Sequence, residues 1–116
     1  MNVRPFHLAL PTRDLEKTRQ FYCDILGCET GRETQDWIDL NLFGHQLVFH
    51  VSGGEPLTTT HNAVDAHSVP IPHFGVVLTP DEHRAFSQRI TGKVQMIIEP
   101  AVRFEGTTGE QRTLFF

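Results

Sequence analysis

Two stretches decide how the chain is read: His7-Leu8-Ala9-Leu10-Pro11-Thr12-Arg13-Asp14 and His73-Phe74-Gly75-Val76-Val77-Leu78-Thr79-Pro80-Asp81. Each opens on a histidine, continues through apolar residues and closes on Thr-x-Asp, with one residue of slippage between the copies. In the first, Phe6, Leu8 and Leu10 alternate with His7 and Ala9, the period of a strand with one apolar face and one face bearing a histidine. Asp14 is placed to cap a helix over 14–26. Pro80-Asp81-Glu82 opens a second helix running to about residue 91, with proline suited to the first turn. The order histidine, strand, Thr-x-Asp, helix thus occurs twice, which predicts an internal repeat.

Outward from the first copy, Leu15, Thr18, Tyr22, Ile25 and Leu26 fall on one helical stripe, and Gly27 suits the residue just past a helix end. Strands are predicted over 28–33, 37–43 and 45–52, with Gly44 at the tight connection. In the second of these Ile38, Leu40 and Leu42 face one way and Asp39 and Asn41 the other. In the third, Leu47, Phe49 and Val51 oppose Gln46, Val48 and His50. The first half therefore reads β-α-β-β-β, a sheet with a helix on one face and a polar, histidine-bearing face opposite. That face is the candidate substrate cavity, lined by Asp39, Asn41 and His50.

Residues 53–72 change character, with Gly53-Gly54, a threonine run and prolines, and predict a connecting loop that acts as a mobile lid. The second copy then predicts strands over 73–79, 94–104 and 111–116, with a turn at 106–109. The expectation is an α+β fold: paired βαβββ units around a concave mixed sheet. Residues 1–52 form the first unit, 53–72 the loop, and 73–116 a second unit lacking its last strand.

With 116 residues, 39% hydrophobic and 21% charged, the chain suits one globular domain. A net charge of −4 without a Lys/Arg run argues against nucleic acid as a partner. No apolar stretch approaches a membrane span, and no signal-peptide core opens the chain, so a cytoplasmic location is expected. Cys23 and Cys28 form no CxxC and read as small buried hydrophobes. The unusual count is seven histidines: His7, His45, His50, His61, His67, His73 and His83. His61 and His67 fall in the predicted loop, and His83 on the second helix. His7 and His73 open equivalent strands of a repeat, and imidazole suits Fe, Mn, Co, Ni or Zn.

The segments Pro5-Phe6-His7-Leu8-Ala9-Leu10, Phe43-Gly44-His45-Gln46-Leu47-Val48, His61-Asn62-Ala63-Val64-Asp65, Pro72-His73-Phe74-Gly75-Val76-Val77-Leu78 and Gly109-Glu110-Gln111 occur in an order that resembles the vicinal oxygen chelate superfamily. That group contains extradiol dioxygenases, glyoxalase I and bleomycin-resistance proteins, and the resemblance is nearest to predicted extradiol-dioxygenase-like members. It implies that His7 and His73 are metal ligands, most commonly of Fe(II), and that a third, carboxylate ligand is expected beyond Phe116. It implies that His45 is an acid–base residue beside a small vicinal-oxygen substrate. It also implies a homodimer. The tyrosine that such dioxygenases place near the late strand has Phe115 and Phe116 in its neighbourhood here. The activities that the resemblance allows are a metal-dependent oxygenase, a glyoxalase-like isomerase or lyase, and a non-catalytic small-molecule-binding protein.

Overall fold

A computed structural model describes residues 3–55 and 57–116. The chain divides into two compact units, Met1–Pro56 and Leu57–Phe116. The fold class is α+β.

In the first unit, β1 (His7–Thr12), β2 (Glu29–Glu33), β3 (Trp37–Leu42) and β4 (His45–Val51) form one sheet in the order β1-β4-β3-β2. β1 runs parallel to β4, and the other neighbours are antiparallel. Pro11 lies inside β1 and not at its end. The bonds from Gln46 N to Phe6 O and from Ser52 N to Thr12 O turn the even residues of β1 toward β4. The missing N–H of Pro11 therefore falls on the outer edge, where a strand tolerates it.

Between β1 and β2 the chain forms helix α1 (Leu15–Arg19), which continues as a π-helical segment, Gln20–Ile25. Asp14 caps α1 by accepting from Lys17 N at 3.0 Å. Leu26 N bonds to Phe21 O, five residues back, and Gly27 takes φ 85° at the end. Tyr22 sits 4.9 Å from the Phe49 ring, centroid to centroid, so the helical segment covers the sheet face of Leu8, Leu10, Ile38, Leu40, Leu47 and Phe49. Burial pushes the Tyr22 hydroxyl up to about 12. Ile38, Leu40, Leu47 and Phe49 are buried and form the centre of this core.

The second unit departs from expectation in two places. The segment expected to be an irregular loop carries an antiparallel hairpin, β5 (Thr60–Val64) and β6 (His67–Ile71). Asp65 and Ala66 both take positive φ at its turn. The Asp65 carboxylate accepts from Phe104 N at 2.9 Å, and the buried Arg103 donates to Val64 O at 2.7 Å. Threonines, polar residues and prolines hid a pairing that main-chain bonds and these anchors supply. Conversely, residues 73–79, expected to be a strand, belong to no sheet among the described residues. Their alternation survives, since Val76 and Leu78 are half-buried while Val77 is 99% exposed. Period two sets which side chains share a face, but pairing requires a neighbour.

Helix α2 (Pro80–Ile90) follows, with Thr79 and Glu82 forming a reciprocal capping box and Pro80 in the first turn. β7 (Ile98–Arg103) is shorter than the predicted 94–104, and it pairs with β8 (Gln111–Phe115). Ile90, Val69 and Ile98 are buried in this unit. Among the described residues no helix is long and apolar enough to cross a membrane.

His83 on α2 has its Nε2 buried without a hydrogen-bond partner, and its Nδ1 lies 3.4 Å from Ser87 Oγ. Burial first, and then the charge of Arg112, hold its pKa below the ordinary 6.5. A histidine depressed in the folded state leaves the unfolded chain binding the extra proton. Its contribution to stability is therefore complete above 6.5 and is lost as pH falls through the folded-state value. Thermal melts at pH 7.5 and 5.5 (values chosen about one unit either side of an ordinary histidine) should show a larger acid loss for wild type than for His83→Gln. Parallel losses in the two proteins would refute this role.

Candidate active site

The sheet of the first unit carries its functional groups on the face opposite α1. Cross-strand register sets them in rows. His7 pairs with Gln46, which pairs with Asn41; Ala9 pairs with Val48, which pairs with Asp39; Pro11 pairs with His50, which pairs with Trp37. His7, Asp39, Asn41 and His50 thus share one face, as the alternation predicted. Val48 and Asp39 are nevertheless buried on it, at 5% and 8% exposure.

Each group on this face has a defined partner. The His7 Nδ1 stands 2.8 Å from Gln46 Oε1. An oxygen there makes Nδ1 the donor, which leaves the Nε2 lone pair free. The His50 and Trp37 rings lie 6.5 Å apart at 42°. The Asp39 carboxylate pairs with Arg32 Nε at 3.4 Å. Asn41 behaves otherwise: its Oδ1 accepts from Gly44 N at 2.7 Å. It braces the hairpin turn, where Phe43 and Gly44 both have positive φ.

His45 begins β4 and belongs by alternation with Leu47 and Phe49, not with Gln46 and His50. Its Nδ1 accepts the Phe6 backbone N–H at 2.8 Å. Its neutral ring therefore carries the proton on Nε2, the opposite tautomer to His7.

His73 lies in the second unit. Its Nδ1 donates to Pro70 O at 2.6 Å, and its ring meets Phe115 edge-on at 5.1 Å. The carbonyl acceptor again leaves Nε2 with a free lone pair. His7 and His73, which open the two repeated segments, thus share one chemical arrangement: Nδ1–H held by an oxygen and Nε2 available. Metal-ligating histidines are oriented by such an outer acceptor. A neutral imidazole of this kind suits a divalent transition metal as one ligand. Among the described residues no three His, Cys, Asp or Glu side chains group as a metal site.

Arg32, Trp37 and Gln46 were not singled out from the sequence. Gly31 was the available signal for the first, since a glycine inside a strand often marks a bulge.

The family model of the glyoxalase/bleomycin resistance protein/dioxygenase superfamily matches residues 4–111. The chain belongs to that superfamily. Among solved structures, a glyoxalase/bleomycin resistance protein/dioxygenase from Alicyclobacillus acidocaldarius is 30% identical with a TM-score of 0.78. That match covers 96% of this chain and 80% of the other. A protein from the mobile metagenome of V. Pseudocholerae is similar in fold alone, at 19% identity and a TM-score of 0.62, over 100% of this chain and 86% of that one. A virulence protein from Salmonella typhimurium is also similar in fold, at 19% identity and a TM-score of 0.53, over 98% and 86%. No curated protein matches the sequence. Membership of the glyoxalase/bleomycin resistance protein/dioxygenase superfamily accounts for the βαβββ order of the first unit. It also accounts for the recurrence of histidine, apolar segment and helix in the second.

Proposed function

We propose that this superfamily member is a metal-dependent, oxygenase-like enzyme acting on a small molecule with two neighbouring oxygens. His7 and His73 are its metal-ligating histidines, each through Nε2. The observation that carries the reading is the matched tautomer: Gln46 Oε1 and Pro70 O each take the Nδ1 proton of one histidine. A surface histidine needs no such acceptor, whereas a ligand gains basicity and a fixed ring orientation from it. When bound, a divalent ion supplies Lewis acidity toward both substrate oxygens and, if it is Fe(II), redox chemistry.

The chain's own residues supply binding and proton control. Asp39, Trp37 and His50 line the same sheet face as His7. His45 offers its Nε2–H as a hydrogen-bond donor, because its Nδ1 is occupied by the Phe6 N–H. A neutral imidazole in that state stabilises a developing oxyanion by hydrogen bonding.

Titration of metal-free protein with Co(II), a spectroscopic substitute for Fe(II), tests the reading. The expected result is saturation at one ion per chain with visible bands of nitrogen ligation, followed by a spectral change on adding catechol. Absence of saturable Co(II) binding would overturn it. Binding without any catechol response would reduce it to a metal-binding protein of another purpose.

A further inference from the structure

We propose that Arg32 is the anion-recognising residue of the open sheet face, and that the molecule bound there is a small planar carboxylate. This inference rests on the functional reading of that face given above, and it names the class of ligand.

The argument begins with strand register. Thr30 pairs with Leu40 and Glu33 with Ile38, so two residues of β2, Gly31 and Arg32, stand opposite the single residue Asp39. This is a β-bulge, a device that re-aims a side chain. In an unbroken strand, Arg32 would follow Thr30 onto the face covered by α1. The bulge turns it to the open face instead, and restores Glu33 to the helix side, where it pairs with Arg19. Gly31 lets β2 approach β3 closely at the bulge: a Cβ at this position would stand 3.2 Å from Asp39 Cβ.

Arg32 is then held on two sides. Its Nε meets the Asp39 carboxylate at 3.4 Å, and its guanidinium carbon lies 5.9 Å from the Trp37 ring centroid. The arginine side chain is 80% exposed while that of Asp39 is 12% exposed. An ion pair with one partner so open adds little to stability, so stability alone does not explain a bulge built to form it. A guanidinium has five N–H donors in a fixed fork. Asp39 occupies the Nε side, which leaves the terminal amino groups to grip a carboxylate with two parallel bonds.

The surroundings specify the rest of the ligand. Trp37 and His50 stand side by side in the next row and offer aromatic faces for a flat ring. His7 lies two strands and two residues from Asp39, roughly 12 Å between Cα atoms by sheet spacing. A one-ring molecule gripped at its carboxylate by Arg32 would lie over the Trp37–His50 row, on the side of Asp39 away from His7. Uncharged or bulky branched molecules lack the matching group or the matching shape.

The test uses metal-free full-length protein, so that its outcome is independent of whether metal binds. Benzoate and its uncharged counterpart benzamide are titrated, and the indole N–H resonance of Trp37, the chain's only tryptophan, is followed by NMR. Benzoate is expected to shift that resonance saturably and benzamide at least about tenfold more weakly, the usual worth of a charge-assisted bond. Arg32→Met should remove the preference for benzoate, and Arg32→Lys should retain part of it because the charge remains without the fork. Equal responses to benzoate and benzamide would overturn the proposal, as would an Arg32→Met protein that binds benzoate like wild type. If Arg32→Met fails to fold, the wild-type contrast and Arg32→Lys decide the matter. A failed Co(II) titration with benzoate preference intact would remove the metal reading and leave the anion site standing.

Discussion

Replacing His7 by Ala is expected to cost most of the metal affinity of the protein. The substitution removes an imidazole whose Nε2 lone pair is free because Gln46 Oε1 takes the proton on Nδ1 at 2.8 Å. Gln46→Leu leaves the imidazole in place and removes only its acceptor. Loss of an outer partner of this kind lowers metal affinity by about 10–100-fold, and loss of the ligand itself should exceed that. His45→Ala gives the contrasting result. Its Nδ1 is already used by the Phe6 N–H, so metal affinity should stay within about threefold of wild type, a difference well under one decade. The cost of that change falls on stability, at about 1 kcal/mol for a lost hydrogen bond. Competition titrations with a chelator of known affinity rank the four proteins. A ranking in which His45→Ala loses metal and His7→Ala retains it would remove the assignment of ligands.

The second large effect concerns the core of the first unit. Ile38 has 0% exposure. It sits in the row that pairs it with Phe49 on one side and Glu33 on the other. Ile38→Ala should destabilise by about 2–5 kcal/mol, the sum of lost transfer energy and an unfilled cavity. A unit of this size holds only roughly 3–8 kcal/mol in total, so the variant should be largely unfolded near body temperature. Val77→Ala, at a position 99% exposed, should change stability by less than about 0.5 kcal/mol. Urea denaturation followed by circular dichroism gives both values, and comparable midpoints for the two variants would contradict the assigned core.

Much of the first unit was legible in the residues. Leu8, Leu10, Ile38, Leu40, Leu47 and Phe49 alternate with polar neighbours, and burial of one face leaves a strand a single acceptable register. Asp14 and Gly27 marked the ends of the helical segment because a free N–H needs an acceptor and a left-handed residue favours glycine. His7 was singled out by its place in the repeat. The sequence did not reveal the state of its ring, because Gln46 is 39 residues away and meets it only through the parallel pairing of β1 with β4.

The hairpin at β5 and β6 shows the opposite case. Its residues carry no apolar alternation, and it is held by main-chain pairing together with Asp65 and Arg103, which come from separate parts of the second unit. Residues 73–79 have the alternation of a strand and no sheet neighbour among the described residues. Local pattern therefore determined which side chains share a face and where the helical segments begin. Pairing, tautomer and aim were decided by tertiary structure. Arg32 shows why: one extra residue at Gly31 reverses its face, and only the partner strand counts that residue.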